Sequence, residues 1–582
     1  MNDNGPRPAT AKCPMREGDR NPFLGATAMK HISAPLLLSA LSSVALGSTA
    51  LAQGAPGPND GDYALHGAGS TAIQPILDEE GDWIPPPFIA HYMPTGSGLG
   101  RQAWRNITNQ FLLAGLANPF GTWNTVQYAF SESGTSASEL TEYYTNVGPY
   151  GLKPIQVPKF VLPVAIAYNP HYATQGGIQY RFQVNPSFPA STTQINGIHV
   201  GGMRMPRQVY CRIFNGQITN WNDAALQMAN GGMSLGDPVD ANWTSVGVPI
   251  RLVGRLDRSG TTDIFTRALA AHCTGIPGNH YATNSEALPY DSSGPNFSSV
   301  RPDTPYSPAS GVVPAGPVNM IGNQYFNTAT GTILSVPGGS PSNPAAGANG
   351  TGLYLLANGS TAVAAAIAAA PDIGTTRRVN GKVGYIGADF IRNALSGNPT
   401  LFAAALNRPS APTVWHLPSA ASASAAFGTV AAPEADVSTG AFANYGTDPR
   451  SASRANPLSW VNVLSGLATS TAGYPITGSS QMLLHTCYKA NNLPHIRTWL
   501  GYNVGTPDDR FTNPTTGLMA LSNIGALPSS WQRAVNQTFL TNSTEVSNGQ
   551  TLGALNLWMA AGGTAGHCFG MSTLPGASQP GM

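Results

Sequence analysis

Residues 248–262 read Val-Pro-Ile-Arg-Leu-Val-Gly-Arg-Leu-Asp-Arg-Ser-Gly-Thr-Thr, and this segment specifies the class of fold. The apolar run Val248–Val253 predicts a strand, and a small, hydroxyl-rich turn follows it. From Thr261 onward an amphipathic helix is expected, because Ile264 and Phe265 recur with later apolar residues on one face. Strand, turn and helix in this order are typical of an α/β sheet with parallel strands.

The same order occurs further upstream. A strand at Tyr63–His66, a Gly-rich turn ending at Thr71 and a helix over Ala72–Asp78 form one unit. A strand at Phe88–Met93 and a turn containing Ser97 form a second. The remaining predictions are a strand at Gln127–Phe130 before Glu132, buried strands at Phe160–Tyr168 and Val383–Ile386, an Ala-rich helical region at Leu353–Ala370, and loop-rich segments at 275–350 and 405–455.

Three of these turns could bind an anion. At the start of a helix, free backbone N–H groups and the positive end of the helix dipole point outward, and Gly lets an anion approach closely. The candidates are Thr71, Ser97 and the group Ser259, Gly260 and Thr261. Each hydroxyl could instead be a simple N-cap. Their shared position at carboxyl ends of strands favours a ligand site.

Arg255 and Asp257 make the third turn the strongest candidate. A guanidinium presents fixed donors that suit a tetrahedral oxyanion, and a carboxylate two residues later could orient it. The alternative is an exposed Arg–Asp pair beside a capped helix, which would contribute under about 1 kcal/mol.

Composition excludes several classes of function. Charged residues make up 10% of the 582 residues and the net charge is +1, so no basic face is available for nucleic acid. The sequence has no Cys-x-x-Cys pair, no His-Glu-x-x-His and no Gly-x-Ser-x-Gly elbow. We therefore predict no metal, no cofactor and no catalytic residue.

The N-terminal region has the features of an export signal. Residues 1–52 are predicted to be a leader that contains a signal peptide starting at Met29, with an apolar run at 34–46 and an Ala-Leu-Ala cleavage site before Gln53. No lipoprotein cysteine follows the run, so a periplasmic or secreted location is expected. Four cysteines follow the leader, and they allow three disulfide pairings in an oxidising compartment: Cys211, Cys273, Cys487 and Cys568.

Six motifs, in order, resemble the phosphate-specific periplasmic binding proteins of the PstS type, and more closely the DING group of secreted phosphate binders. They are Gly67-Ala68-Gly69-Ser70-Thr71, Thr95-Gly96-Ser97-Gly98-Leu99-Gly100, Phe130-Ser131-Glu132-Ser133, Ile213-Phe214-Asn215-Gly216-Gln217-Ile218-Thr219-Asn220-Trp221, the block Arg255–Thr262, and Gly384-Tyr385-Ile386-Gly387.

The resemblance implies a type II periplasmic-binding-protein fold, in which two α/β lobes are joined by a two-stranded hinge and the ligand lies in the cleft. The chain would cross between lobes near Pro163 and again near Gly384. The implied boundaries are a linker at 53–61, lobe I at 62–165 plus 385–582 with the insertion 405–455, and lobe II at 166–384 with the insertion 275–350.

The resemblance also implies the site. The family's anion-contacting positions fall on Thr71, Ala72 (through its backbone N–H), Ser97, Glu132, Arg255, Ser259, Gly260 and Thr261, with Asp257 in support. Glu132 departs from the family's Asp. A carboxylate at this position accepts the proton of a phosphate and repels sulfate, which has no proton to give. The pairs Cys211–Cys273 and Cys487–Cys568 match the DING disulfides.

The resemblance therefore predicts a monomeric protein that binds inorganic phosphate and delivers it to an ABC-type permease in the membrane. Two alternatives stay open. One is a secreted phosphomonoesterase resembling alkaline phosphatases, and the other is a surface or secreted protein that uses the fold for adhesion or assembly. The binding protein is preferred, because the sequence offers no recognisable catalytic arrangement.

Overall fold

The computed structural model describes residues 65–573 apart from 85–89, 107–125, 215–216, 219, 256, 258, 277–323, 328–331, 336–353, 372–375, 396, 434–453, 506 and 548–549. All of them belong to one unit, residues 46–582. The predicted leader 1–52 and linker 53–61 lie outside the described residues. No helix within the described ranges combines the length and the apolar character needed to cross a membrane.

Twenty-three strands are described. They are β1 (Leu65–Gly69), β2 (Ala90–Met93), β3 (Tyr128–Ser131), β4 (Pro154–Tyr168), β5 (His171–Gln175), β6 (Ile178–Arg181), β7 (Gln194–Ile195), β8 (Ile198–His199), β9 (Arg204–Met205), β10 (Arg251–Arg255), β11 (Gln324–Asn327), β12 (Thr332–Ser335), β13 (Tyr354–Ala357), β14 (Arg377–Val379), β15 (Lys382–Gly387), β16 (Phe402–Ala403), β17 (Ala405–Arg408), β18 (Ala411–His416), β19 (Thr477–His485), β20 (Cys487–Tyr488), β21 (Val546–Ser547), β22 (Gln550–Thr551) and β23 (Ala560–Ala561).

The described α-helices number thirteen. They are α1 (Gln74–Trp83), α2 (Ser97–Asn106), α3 (Ala137–Asn146), α4 (Arg207–Phe214), α5 (Ala224–Ala229), α6 (Gly260–His272), α7 (Gly359–Ala368), α8 (Ala420–Phe427), α9 (Val463–Ala468), α10 (Leu493–Leu500), α11 (Asp509–Thr512), α12 (Leu518–Leu521) and α13 (Ser529–Val535). Two π-helical turns, Gly501–Gly505 and Asn536–Leu540, and several 3₁₀ turns complete the described elements.

Strand β4 joins the two halves of the main sheet. All fifteen of its residues are buried, as expected for an almost continuous apolar run in the middle of a sheet. Its first part, up to Pro163, pairs antiparallel with β19, and its last part, from Val164 to Tyr168, pairs antiparallel with β15. The change of partner at Pro163 and Val164 coincides with the crossing predicted from the resemblance, and β15 returns at Gly387 opposite Val164.

Each half contains parallel strand–turn–helix units. In one half β1 pairs parallel with both β2 and β3, and in the other β10 pairs parallel with both β13 and β15. The full order is β12-β11-β13-β10-β15-β4-β19-β3-β1-β2, with β16 beside β4. The two-lobed α/β fold predicted from the sequence is confirmed, and the carboxyl ends of β1, β3, β10 and β13 lie where such folds bind ligands.

The sheet contains antiparallel as well as parallel pairs. The central pairs β4–β15, β4–β19 and β3–β19 are antiparallel. Local strand–turn–helix patterns do not reveal these pairs, because β19 lies more than three hundred residues from β4 in the chain. From the partner change we propose lobe boundaries near residues 165 and 385, as the sequence predicted.

The two insertions are not simply loops. Strands β11 and β12, within 275–350, form a hairpin at the edge of the main sheet, and most of the rest of that segment lies outside the described residues. The segment 405–455 contains β17, β18 and α8, and its residues 434–453 are not described. Strand β17 pairs parallel with β9, which lies in the segment 166–384.

The predicted disulfide pairing is confirmed. Cys211 in α4 bonds to Cys273 at the end of α6, and Cys487 in β20 bonds to Cys568. The Cα atoms of the two pairs are 5.6 Å and 5.5 Å apart. The first bridge fixes the far end of α6, the helix whose first turn carries Gly260 and Thr261.

Candidate functional site

The candidate side chains lie at the ends of strands in both halves of the sheet. Thr71 follows β1, Ser97 begins α2 and Glu132 follows β3. In the other half, Arg255 is the last residue of β10 and Ser259 is the N-cap of α6. Hydrogen bonds connect these two groups directly, so the turns predicted from the sequence meet at one place.

Arg255 makes the most extensive of these connections. Its Nη2 donates to Thr71 Oγ1 at 2.8 Å, and its Nη1 donates to Ser360 Oγ at 2.9 Å. Its Nε donates to Asp257 Oδ1 at 2.7 Å, and its Nη2 also contacts Asp257 Oδ2. Asp257 in turn accepts from the backbone N of Gly359 at 2.9 Å, which fixes the carboxylate.

Arg255 is 3% exposed, so the alternative of an exposed Arg–Asp pair is wrong. Burial opposes the charge on the guanidinium, but the charge and hydrogen bonds of Asp257 outweigh burial and raise the pKa of Arg255 above its ordinary value. The side chain is therefore a permanent, oriented cation below the surface.

Glu132 is fully buried and receives hydroxyl hydrogen bonds from two sides. Ser97 Oγ donates to its Oε2 at 3.0 Å, and Ser480 Oγ of β19 donates to its Oε1 at 3.0 Å. Burial raises the pKa of the Glu132 carboxyl above its ordinary value, although hydrogen bonds from Ser70, Ser480 and Ser97 and the charge of Arg255 act in the opposite direction.

The first turn of α6 faces Ser97 and Glu132. The backbone N of Gly260 donates to Ser97 Oγ at 3.1 Å, and Ser259 caps the helix by accepting from the N of Thr262 at 3.2 Å. A methyl group at Gly260 would lie 2.7 Å from Ser133 N and 2.8 Å from Glu132 Cβ. Only glycine fits this approach between the two halves.

Two predicted anion-contacting positions, Ala72 and Thr261, differ in whether their donor already has a hydrogen-bond partner. The backbone N of Ala72 donates to Ser70 Oγ at 3.0 Å. The Thr261 hydroxyl is buried and has no hydrogen-bond partner within the described residues. An unpaired hydroxyl at the start of a helix is a ready donor or acceptor for a ligand.

Four residues of the site were not predicted. Ser360 at the start of α7 accepts from Arg255, and its backbone N donates to Thr71 Oγ1 at 3.0 Å. Tyr385 Oη accepts from the backbone N of Arg255 at 3.3 Å, while Ser70 and Ser480 belong to the surroundings of Glu132. The sequence did contain a signal for Ser360, because Gly359-Ser360-Thr361 repeats Gly69-Ser70-Thr71.

The described residues contain one group with the composition of a metal site, Cys487, His567 and Cys568. Both cysteines are joined in a disulfide, so neither can supply the thiolate that a metal requires. With its cysteines bonded to each other, this group does not provide a metal site.

Comparisons with known proteins show the family to which the chain belongs. The family model of the PBP superfamily domain matches residues 47–395, more than half of the chain. Alkaline phosphatase L of Pseudomonas aeruginosa is 26% identical over 484 residues, which cover 83% of this chain and 90% of the relative. A phosphate-binding protein from an unknown prokaryotic organism is 25% identical over 504 residues, which cover 84% of this chain and 97% of the relative.

Among solved structures, a high-affinity periplasmic phosphate-binding protein, PfluDING, bound with phosphate, aligns with a TM-score of 0.51 and 23% identity. The alignment covers 85% of this chain and 98% of that one, and it supports the fold alone. These matches confirm the resemblance predicted from the motifs. With the two-lobed sheet and the site at its strand ends, they show that the chain belongs to the PBP superfamily.

Proposed function

We propose that this protein binds inorganic phosphate in the cleft between its two lobes, outside the cytoplasm, and delivers it to an ABC-type permease. The observation that carries the proposal is the hydrogen bond from Arg255 at the end of β10 to Thr71 at the end of β1. It brings a buried cation from one half of the sheet against the helix-start hydroxyls of the other.

The site has the donors that a tetrahedral oxyanion needs. The guanidinium of Arg255 offers a planar fork, and the hydroxyls of Thr71, Ser97 and Thr261 can rotate to donate. Gly260 adds the N-terminus of a thirteen-residue helix. We propose Thr71, Ala72, Ser97, Glu132, Arg255, Ser259, Gly260 and Thr261 as the phosphate-binding residues, with Asp257 in support.

The charges favour a protonated oxyanion. Asp257 neutralises Arg255, and the further carboxyl of Glu132 lies where it would face a ligand held by Ser97. Phosphate retains a proton that it can donate to Glu132, whereas sulfate at neutral pH has none. The buried carboxylate would therefore reject sulfate while it binds phosphate.

The proposed location outside the cytoplasm and the proposed permease partner are supported less directly than the binding site. Two disulfides in the described part of the chain are typical of an oxidising compartment. PfluDING, with which this chain shares its fold, is a periplasmic phosphate-binding protein. Delivery to a permease follows from the PstS-type resemblance and makes the membrane complex the expected partner.

A second candidate is a phosphomonoesterase, because the relative that is 26% identical over most of both chains is named an alkaline phosphatase. One experiment separates the two functions. We expect saturable binding of one phosphate in a calorimetric titration, no comparable heat with sulfate, and no steady hydrolysis of p-nitrophenyl phosphate. An absence of phosphate binding would refute the proposal, and turnover that disappears with Arg255→Ala would establish the enzyme.

Glu132→Gln should reduce the discrimination between the two anions. The amide keeps the size of the side chain but removes the negative charge, so sulfate no longer meets a buried carboxylate. We expect the ratio of sulfate to phosphate dissociation constants to fall by about 10- to 100-fold, the equivalent of about 1–3 kcal/mol. Titrations of both anions measure the ratio.

Glu132→Asp is the matched control, because it keeps the carboxylate and restores the length that the family uses. The Asp variant should retain discrimination against sulfate. An unchanged ratio in the Gln variant would show that Glu132 does not select the ligand.

A further inference from the structure

A second buried acid lies close to the site and has no role in the binding described so far. Asp389 belongs to the 3₁₀ turn Ala388–Phe390, which directly follows β15 where the chain leaves the second half of the sheet. Its side chain is completely buried. Within the described residues, neither Oδ1 nor Oδ2 has a side-chain hydrogen-bond partner. A buried carboxyl that no other side chain pairs with is rare and requires an explanation.

The position of Asp389 places it behind the first anion-binding turn. The Ala388–Phe390 turn packs against α1, β4 and α7, the elements that hold Thr71 and Ser360. A methyl group at Gly387 would lie 2.5 Å from Asp389 Oδ1 and 3.2 Å from the carbonyl oxygen of Ala72. The carboxyl therefore lies next to the backbone that we propose to hold the anion.

Among the described residues, the elements packed against this turn provide no free counterion. Helix α7 carries no charged residue, and the only cation of β4, Lys159, is bonded to Glu80 of α1. The other acids of α1 are Asp78, Glu79 and Asp82.

The segment that follows the turn carries Arg392, whose guanidinium lies over the Phe402 ring. Burial, together with the charge of Glu132, raises the pKa of Asp389 well above its ordinary value, although the backbone N–H groups of Asp389 and Phe390 act in the opposite direction. An isolated carboxylate in such surroundings takes up a proton rather than remain charged.

We propose that Asp389 is a second acidic group of the anion site, which must be protonated for the anion to bind tightly. The inference rests on the proposed function and adds that binding of the anion is coupled to protonation of Asp389. A neutral Asp389 adds no charge beside the anion. An ionised Asp389 would place a negative charge behind the Thr71–Ala72 turn and repel the ligand.

The sign of the pH dependence follows from linkage. Below the pKa of Asp389 in the free protein, the group is neutral with or without ligand, and affinity is unaffected. Above that pKa the anion binds only with uptake of a proton, so affinity falls by up to about tenfold per pH unit. Release of the ligand is therefore favoured by rising pH, through a group that does not touch the ligand.

The test compares wild type with Asp389→Asn in titrations with inorganic phosphate from pH 5 to pH 10. The ratio of the two dissociation constants cancels the protonation of phosphate itself. We expect a ratio near one at low pH and an increasing advantage for Asp389→Asn at high pH, approaching tenfold per pH unit. A ratio that stays constant across the range would overturn the proposal.

Two further measurements keep the test decisive. Asp389→Leu, a second neutral variant, should reproduce the pH profile of Asp389→Asn. If neither variant folds, proton uptake on binding is measured instead, by calorimetric titration of Glu132→Gln with sulfate in buffers of different ionisation heat. In this experiment neither the ligand nor residue 132 titrates. Uptake of a proton at high pH supports the role of Asp389, and no uptake overturns it. Failure of wild type to bind phosphate at pH 6 would instead refute the proposed function.

Discussion

Arg255→Ala should reduce phosphate affinity by a factor of about 30 to several thousand, the equivalent of about 2–5 kcal/mol for truncating one partner of a buried, hydrogen-bonded charge pair. The change removes the donors to Thr71 and Ser360 and leaves the Asp257 carboxylate without its cation. An unpaired negative charge then remains beside the position of the anion. Isothermal titration calorimetry of both proteins with phosphate measures the loss.

Two variants make this result specific. Arg255→Lys keeps the positive charge but loses the planar fork, so we expect an intermediate affinity. Arg510→Ala removes an arginine from a similar short-range pair with Asp508, but that pair is exposed on the surface. Phosphate affinity should be unchanged in the Arg510 variant. An affinity within threefold of wild type for Arg255→Ala, or an equal loss for Arg510→Ala, would contradict the site.

The part of the site that is local in sequence could be predicted. The turn from Arg255 to Thr262 can be predicted to bind an anion, because an apolar strand, an Arg–Asp pair and a hydroxyl-rich helix start are adjacent in the chain. The turns that carry Thr71 and Ser97 repeat the pattern. The rule that parallel strands place their carboxyl ends at one edge predicts that the Thr71 and Ser97 turns lie together, because β1 and β2 are parallel. The rule does not extend to the Arg255 turn, which belongs to the other half of the sheet.

The parts that depend on distant strands could not be predicted. Ser480 reaches Glu132 only because β19 pairs with β3 and β4 in one register, and a shift by one residue would turn it to the other face. Strand β13 lies inside the Ala-rich segment Leu353–Ala370, which the sequence predicts to be helical throughout. Ser360 therefore falls inside the predicted helix and not at a helix start. Asp389 carries no local motif, and only the packing of three elements around it reveals that it is buried.

Lys159→Met should destabilise the protein by about 3–5 kcal/mol, because it removes one partner of a buried ion pair. Lys159 Nζ lies 2.9 Å from both carboxylate oxygens of Glu80, and both side chains are almost inaccessible to solvent. Glu80 also accepts from Trp499 Nε1 at 2.8 Å and from Asn503 Nδ2 at 2.6 Å. Urea denaturation monitored by tryptophan fluorescence gives the change in the free energy of unfolding.

The position of Lys159 in strand β4 explains how its charged side chain reaches Glu80 from a buried strand. The ladder between β4 and β19 shifts register where Pro158 pairs with Gln481 and Phe160 pairs with Ser480, so Lys159 is the additional residue of a bulge. The bulge directs a lysine from a fully buried strand towards Glu80 on α1. Burial lowers the pKa of Lys159 to about 8, although Glu80 acts in the opposite direction.

A double variant separates the ion pair from simple loss of packing. If the penalty in Lys159→Met comes from the stranded carboxylate, neutralising it with Glu80→Gln in the same chain should recover a large part of the lost stability. Lys153→Met is the matched control, since Lys153 immediately precedes β4. Among the described residues, its Nζ donates only to the backbone oxygen of Leu555, at 3.0 Å. The control should cost less than about 1.5 kcal/mol, the upper range for an ordinary hydrogen bond. Equal losses in the two lysine variants, or no recovery in the double variant, would mean that the pair does not hold α1, and with it the Thr71 turn, against β4.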